Sequence, residues 1–218
     1  MTDTRPSLYL ITPLVQDPAA FRPALAEACG TGLVEAVLLR LAAQDERSLV
    51  NAVKALAPAV QDHMAALVLA DPGRDVDLAA IVTRGGADGG HTDDPIRIAA
   101  LRERLKDGRS VGAGGLRTKH DAMMAGEAGV DYVLFGEPRP DGYVPDLDVV
   151  EERAAWWAEI FQTPCVVYAP TLDAAPCLAA TGAEFVALGG AVWSHGGGPG
   201  VAVAEAARLL GAVQERTA

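Results

Sequence analysis

Eight short apolar runs alternate with segments of helical periodicity along this chain, and no other feature constrains its fold as tightly. The runs begin near Leu8, Glu35, Ala66, Gly89, Ser110, Tyr132, Cys165 and Phe185. The run from Ala66 to Ala70 lacks polar alternation, as a strand buried in a parallel sheet does. Four stretches resemble one another: GLVEAVLL from Gly32, GADGGH from Gly86, GVDYVLFG from Gly129 and GAEFVALGG from Gly182. Each has a glycine, one or two small or apolar residues, an acidic residue and then a run. The step from one to the next is too long for one βα unit and suits two, with a further apolar run between.

The intervening segments carry apolar residues at helical spacing. Phe21, Leu25 and Ala28 share a face, as do Leu49, Val53 and Leu56. Val76, Leu78, Ala79, Ile81 and Val82 form another, stopped at Gly85-Gly86, because glycine accepts the left-handed conformation of a helix stop. Pro95 opens the next helix, as proline can in a first turn. Residues 119–128, 147–161, 172–180 and 201–213 complete the set. Eight strands, each followed by a helix, predict an α/β fold, the (βα)8 TIM barrel. Residues 1–218 are expected to form one such domain, since no linker or low-complexity stretch interrupts them. The alternation by itself also admits an open, doubly wound sheet.

The formal net charge is −11 at pH 7. An acidic surface repels nucleic acid and anionic membranes, which argues against both as partners. No apolar run is long enough for a membrane span, and the N-terminus has no secretory pattern. Cys29, Cys165 and Cys177 are an odd number without CxxC spacing, so neither a disulfide framework nor a zinc site is expected. They read as reduced residues of a cytoplasmic protein. Homo-oligomerisation is left open.

In such a barrel the active site forms where the strands end. Thr12, Arg40 and Asp71 follow the first three runs; His91, Asp93 and Asp94 follow the fourth. Gly114-Gly115, Gly136-Glu137, Tyr168-Ala169-Pro170 and Gly189-Gly190 follow the rest. Carboxylates suit Mg²⁺, which bridges one or two of them to substrate phosphates, so Asp71, Asp93 and Asp94 are the candidate metal ligands. Gly114, Gly189 and Gly190 are candidate phosphate contacts; the last two let backbone N–H groups come close to a phosphate. Arg40 ends an otherwise apolar strand and must find an anion or reach solvent. Arg40 and Asp71 are therefore the candidate catalytic pair, with Arg40 also reading phosphate. Structural roles compete with these. Asp71 could cap the following helix, and Asp93 or Asp94 could cap the helix from Pro95. His91 could be a hydrogen-bonded core residue, and Arg40 could pair with a rim carboxylate such as Asp71. The glycine-rich run from His195 lacks the P-loop pattern and reads as a loop.

SLYLITP from Ser7, LLR ending at Arg40, VLAD ending at Asp71 and GADGGHTDD from Gly86 carry a resemblance that SVGAGG from Ser110, GVDYVLFGEP from Gly129 and GAEFVALGGA from Gly182 extend. The chain resembles the thiamine phosphate synthases and their thiazole-tautomerase relatives. The resemblance implies a compact barrel that joins hydroxymethylpyrimidine diphosphate to thiazole phosphate and releases pyrophosphate, with Mg²⁺ and basic residues stabilising the leaving group. It carries Arg40, the carboxylate of Asp71, one of Asp93 and Asp94, and the eighth-strand glycines over to that chemistry. The chain departs from the family pattern at Leu38 and Ala42, where glutamine and lysine are expected, and at Gly114 and Leu116, where serine and histidine are expected. Ala169-Pro170-Thr171 replaces a Gly-Gly-Ile phosphate loop, and PRPDGYVP lacks an expected lysine. These departures leave a second reading, a barrel without catalysis that binds a phosphorylated metabolite or a protein partner.

Overall fold

A computed structural model describes residues 6–106, 108–138 and 143–217, with side chains up to residue 211. The missing lysine of PRPDGYVP falls partly at 139–142, outside the described residues. Eight parallel strands close into a barrel in sequence order: β1 Ser7–Val15, β2 Val34–Leu41, β3 Ala66–Ala70, β4 Gly89–Thr92, β5 Ser110–Ala113, β6 Tyr132–Phe135, β7 Cys165–Ala169 and β8 Phe185–Leu188. β8 pairs back onto β1, so no edge is left unpaired, and the open sheet is ruled out.

The helices outside the barrel are α1 Pro18–Cys29, α2 Glu46–Leu56, α3 Pro58–Gln61, α4 Leu78–Gly85, α5 Pro95–Arg104, α6 Lys119–Glu127, α7 Leu147–Ile160, α8 Ala175–Ala179, α9 Gly190–Trp193 and α10 Pro199–Thr217. The short α3 and α9 are additions to the predicted set. α3 starts at a proline directly after α2, and α9 turns at the glycine pair behind β8. Among the described residues no helix is long and apolar enough to cross a membrane.

Two cores result from strand alternation. Outward residues such as Leu10, Val37, Leu39, Leu67, Leu69, Val167 and Val186 pack against the helices with Trp157 and Leu25. Inward residues Tyr9, Ile11, Ala36, Leu38, Val68, Tyr132, Leu134, Val166, Tyr168 and Ala187 fill the barrel. That interior is unevenly stocked. β5 presents Gly112 where the Tyr132 ring needs room; a Cβ on Gly112 would sit 2.2 Å from that ring.

The acidic repeat has a structural cause. Asp88 accepts the Leu67 N–H at 2.7 Å, Asp131 that of Val111 at 2.7 Å, and Glu184 that of Cys165 at 2.8 Å. Each acid stands at the entrance to an even strand and satisfies an N–H at the start of the odd strand before it. These carboxylates lie on the N-terminal face, away from the strand ends where chemistry forms. The glycines that lead them in, Gly86, Gly129 and Gly182, have φ of 84°, 82° and 89°, where a side chain would be strained. Glu35, in the first repeat, makes no such bond among the described residues and is exposed.

Candidate active site

β1 prepares the place of Arg40. Its pairing with β2 slips between Ile11 and Leu14, where Pro13 has no N–H to give the ladder. The Thr12 hydroxyl fills the gap by accepting the Arg40 N–H at 2.9 Å. Arg40 follows Leu38 by two residues and so continues its inward face. Its guanidinium makes no ion pair or hydrogen bond among the described residues. The alternative in which Arg40 is locked to Asp71 does not occur, because Asp71 is paired elsewhere.

A cavity of about 490 Å³ opens over the C-terminal strand ends. Ile11, Leu14, Leu38 and Leu41 give it an apolar wall, and Arg40, Asp71, His91, Asp93 and Glu137 supply its charged and polar groups. The fold thus gathers Arg40, Asp71 and Asp93 from three strand ends. Asp94 is turned away: it caps α5 by accepting the Ile96 N–H at 3.0 Å and pairs with Arg74 at 3.0 Å. Asp77, not Asp71, caps α4.

Asp71 is held by four contacts. It accepts hydrogen bonds from the Gly73 N–H at 3.1 Å, from the Thr92 hydroxyl at 3.0 Å and from Arg97 Nη1 at 3.0 Å, and Nη1 also stands 2.9 Å from its second oxygen as an ion pair. Arg97 was not a sequence candidate. One signal was available: a cation in the first turn of α5 opposes the helix dipole and needs a reason to be there.

Gly114 is buried beside the floor of the cavity, where a Cβ would lie 2.6 Å from His91 Nε2 and 2.8 Å from Glu137 Oε1. Glu137 accepts the Gly115 N–H at 2.5 Å. Gly189 packs on the Tyr168 ring and Gly190 opens α9. Neither lines the cavity; burial raises the Tyr168 phenol pKa, opposed by the Gly190 N–H and by the charge of Arg40. The loop from His195 folds onto α1, with the Gly200 N–H donating to Glu27 at 3.2 Å.

Beneath the cavity His91 Nδ1 lies 3.0 Å from the Tyr132 hydroxyl, which lies 2.8 Å from that of Tyr9. All three are buried. If Tyr9 donates to Tyr132 and Tyr132 to Nδ1, both hydroxyl protons are used and the imidazole proton sits on Nε2. The reverse direction strands the Tyr9 proton in the core, at a desolvation cost. Burial pushes both phenols up and brings the His91 pKa down from 6.5 to about 4. A depressed histidine favours the unfolded chain wherever that chain binds the proton and the native one does not. Its contribution is therefore complete above pH 6.5 and is lost as pH falls toward about 4. The expected result is that His91→Gln flattens the acid limb of melting temperature against pH in that window. Equal acid limbs in both proteins would refute it.

Among the described residues no three His, Cys, Asp or Glu side chains converge as a metal cage. The donors present suit Mg²⁺ in another mode, with one or two carboxylates and the remaining positions taken by phosphate and water. Asp93 is exposed, with no partner among the described residues, and shares the cavity with Asp71.

A closed barrel with one cation and several carboxylates around a cavity at its strand ends has the layout of a barrel enzyme. The family model described as thiamine monophosphate synthase matches residues 8–192, and the chain belongs to that family. A thiamine-phosphate synthase of Rhodospirillum centenum is 41% identical, over 96% of this chain and 99% of its own length. Another, of Hyphomonas neptunium, is 35% identical over 93% of this chain and 95% of its own length. Among solved structures, a thiamine phosphate pyrophosphorylase from Pyrococcus furiosus superposes with a TM-score of 0.76 at 22% identity, covering 96% of this chain and 98% of that one. A 3-hexulose-6-phosphate synthase from Salmonella typhimurium gives 0.71 at 14% identity, over 94% of this chain and 99% of that one. Both superpositions speak to the fold.

Proposed function

We propose that this chain joins hydroxymethylpyrimidine diphosphate to thiazole phosphate with release of pyrophosphate, as a cytoplasmic enzyme. The observation that carries the reading is Arg40, an unpaired guanidinium inside the cavity that also holds Asp71 and Asp93. In a dissociative transfer the bond to the diphosphate breaks first, and negative charge grows on the departing group. Arg40 meets that charge with a planar fork matched to phosphate oxygens. Because it has no ion-pair partner to give up, its full strength is available as charge develops. The apolar wall of Ile11, Leu14 and Leu38 excludes water from the cation left behind. Asp93 and Asp71 would hold Mg²⁺, which when bound offsets the charge of the diphosphate. Gly114 leaves room for His91 and Glu137 below the cavity, and Gly189 and Gly190 are the proposed backbone contacts for a phosphate that reaches past its lining toward β8.

A second reading rests on the electrostatics of the same cavity. Three carboxylates, Asp71, Asp93 and Glu137, face it beside Arg40. A diphosphate is repelled by that balance unless a metal intervenes, and a barrel so charged could bind a phosphorylated metabolite without turning it over. Incubation of the pure protein with both synthase substrates and Mg²⁺, with mass detection of thiamine phosphate, separates the readings. Product above the background of a no-protein control supports the synthase. No product, with pyrophosphate and Mg²⁺ still raising the melting temperature, supports the binding barrel. Neither effect overturns both.

A further inference from the structure

We propose that Arg97 competes with a divalent cation for Asp71, holding the carboxylate in the free protein and yielding it when a metal–diphosphate ligand enters. This rests on the reading that the cavity takes Mg²⁺ with a diphosphate. Of the roughly four acceptor sites of a carboxylate, three on Asp71 take hydrogen bonds from Gly73, Thr92 and Arg97, and the Arg97 charge stands over the remaining oxygen lobe. A single nitrogen, Nη1 of Arg97, lies 3.0 Å from one oxygen and 2.9 Å from the other. It therefore sits across the mouth of the carboxylate, on the line a chelated cation would occupy. Two cations cannot share that position, because a Mg²⁺ bound at about 2.0–2.1 Å would face the guanidinium across the same oxygen.

Arg97 can release Asp71 without leaving. Nη1 also donates to Gly73 O, but the other terminal nitrogen, Nη2, donates separately to Val76 O at 2.8 Å, so the loop between β3 and α4 keeps that anchor when Nη1 moves off the carboxylate. Asp93, by contrast, is open. An entering metal finds one free carboxylate and one already neutralised, which makes affinity for the bare ion low. A diphosphate that adds its own oxygens tips the exchange.

The test is calorimetric and EPR-detected Mn²⁺ binding, with and without pyrophosphate, on wild type, Arg97→Gln, Asp71→Asn and the double variant. Arg97→Gln removes the charge and, being shorter and carrying one terminal nitrogen, also gives up bonds to the two carbonyls. It is expected to bind Mn²⁺ with pyrophosphate about tenfold more tightly or better, the effect of one removed competing charge contact. Asp71→Asn must cancel that gain, because the two residues then have nothing to contest. Without metal Arg97→Gln should melt lower than wild type, and Mn²⁺ with pyrophosphate should raise its melting temperature further. If it does not fold, Arg97→Lys, a point charge too short to span the carboxylate and both carbonyls, is expected to tighten binding by a smaller factor. Equal or weaker Mn²⁺ binding in the Arg97 variants, with wild type binding normally, would end the competition alone. No Mn²⁺ binding by any protein, even with pyrophosphate, would overturn the metal reading with it.

Discussion

Arg40→Ala is expected to abolish the rise in melting temperature that pyrophosphate and Mg²⁺ give the wild type, and to lower turnover by at least about two orders of magnitude. A charge-assisted hydrogen bond contributes roughly 1.5–3 kcal/mol, and the guanidinium fork offers two. Each 1.36 kcal/mol lost from the transition state is about a factor of ten in rate. The ligand-free melting temperature should move by only a few degrees. No carboxylate is orphaned by the change, since Asp71 stays paired with Arg97, and what is lost is the packing of the aliphatic stem. Arg40→Lys restores charge but not the fork, so it should recover part of the binding and less of the rate. Paired melts and mass-detected turnover measure both. A strong loss of stability in Arg40→Ala, with no ligand-induced shift in the wild type, would remove the phosphate role.

The second large effect is expected of Gly112→Ala. Gly112 pairs with Tyr132 across β5 and β6, and a new Cβ would meet the ring carbons and the hydroxyl at 2.2–2.5 Å. The ring is enclosed, with Tyr9 and His91 beside it, and cannot swing out to solvent. Overpacking of this kind costs about 1–3 kcal/mol, or roughly 2–12 °C in a domain of this size. The displaced hydroxyl should also let go of His91 Nδ1, which ¹⁵N imidazole shifts report directly. Gly196→Ala is the control, since a Cβ there meets nothing within 4 Å. A variant that melts with the wild type and keeps its His91 signals would show that the interior is looser than its packing implies.

The strand starts were legible because a barrel strand is buried on both faces and reads as a plain apolar run, and a left-handed glycine stops α4 ahead of β4. That is why β3 to β8 begin at the residues expected, and β1 and β2 one residue earlier. The candidate rim was legible for the same reason: strand ends share one face of a parallel barrel, so Arg40, Asp71, His91 and Asp93 could be grouped without coordinates. That Arg40 continues the inward face of Leu38 had to come from the structure, because its strand is apolar on both faces.

The sequence could not say which carboxylate serves which partner, because Asp71, Asp77, Asp93 and Asp94 are equivalent in type and close in chain position. Tertiary structure separated them. The start of α5 claims Asp94 and that of α4 claims Asp77, since orphan N–H groups need acceptors there. Arg97 closes on Asp71 from a neighbouring helix, leaving Asp93 open to the cavity. The buried line of Tyr9, Tyr132 and His91 was equally hidden, because its members lie on strands 1, 6 and 4 and meet only across the closed interior. The sequence by itself determined the eightfold alternation and the face on which chemistry can form, because both follow from local periodicity. Closure of the barrel alone decided which charges are spent on one another and which remain for a ligand, because pairing depends on distances between residues far apart in the chain.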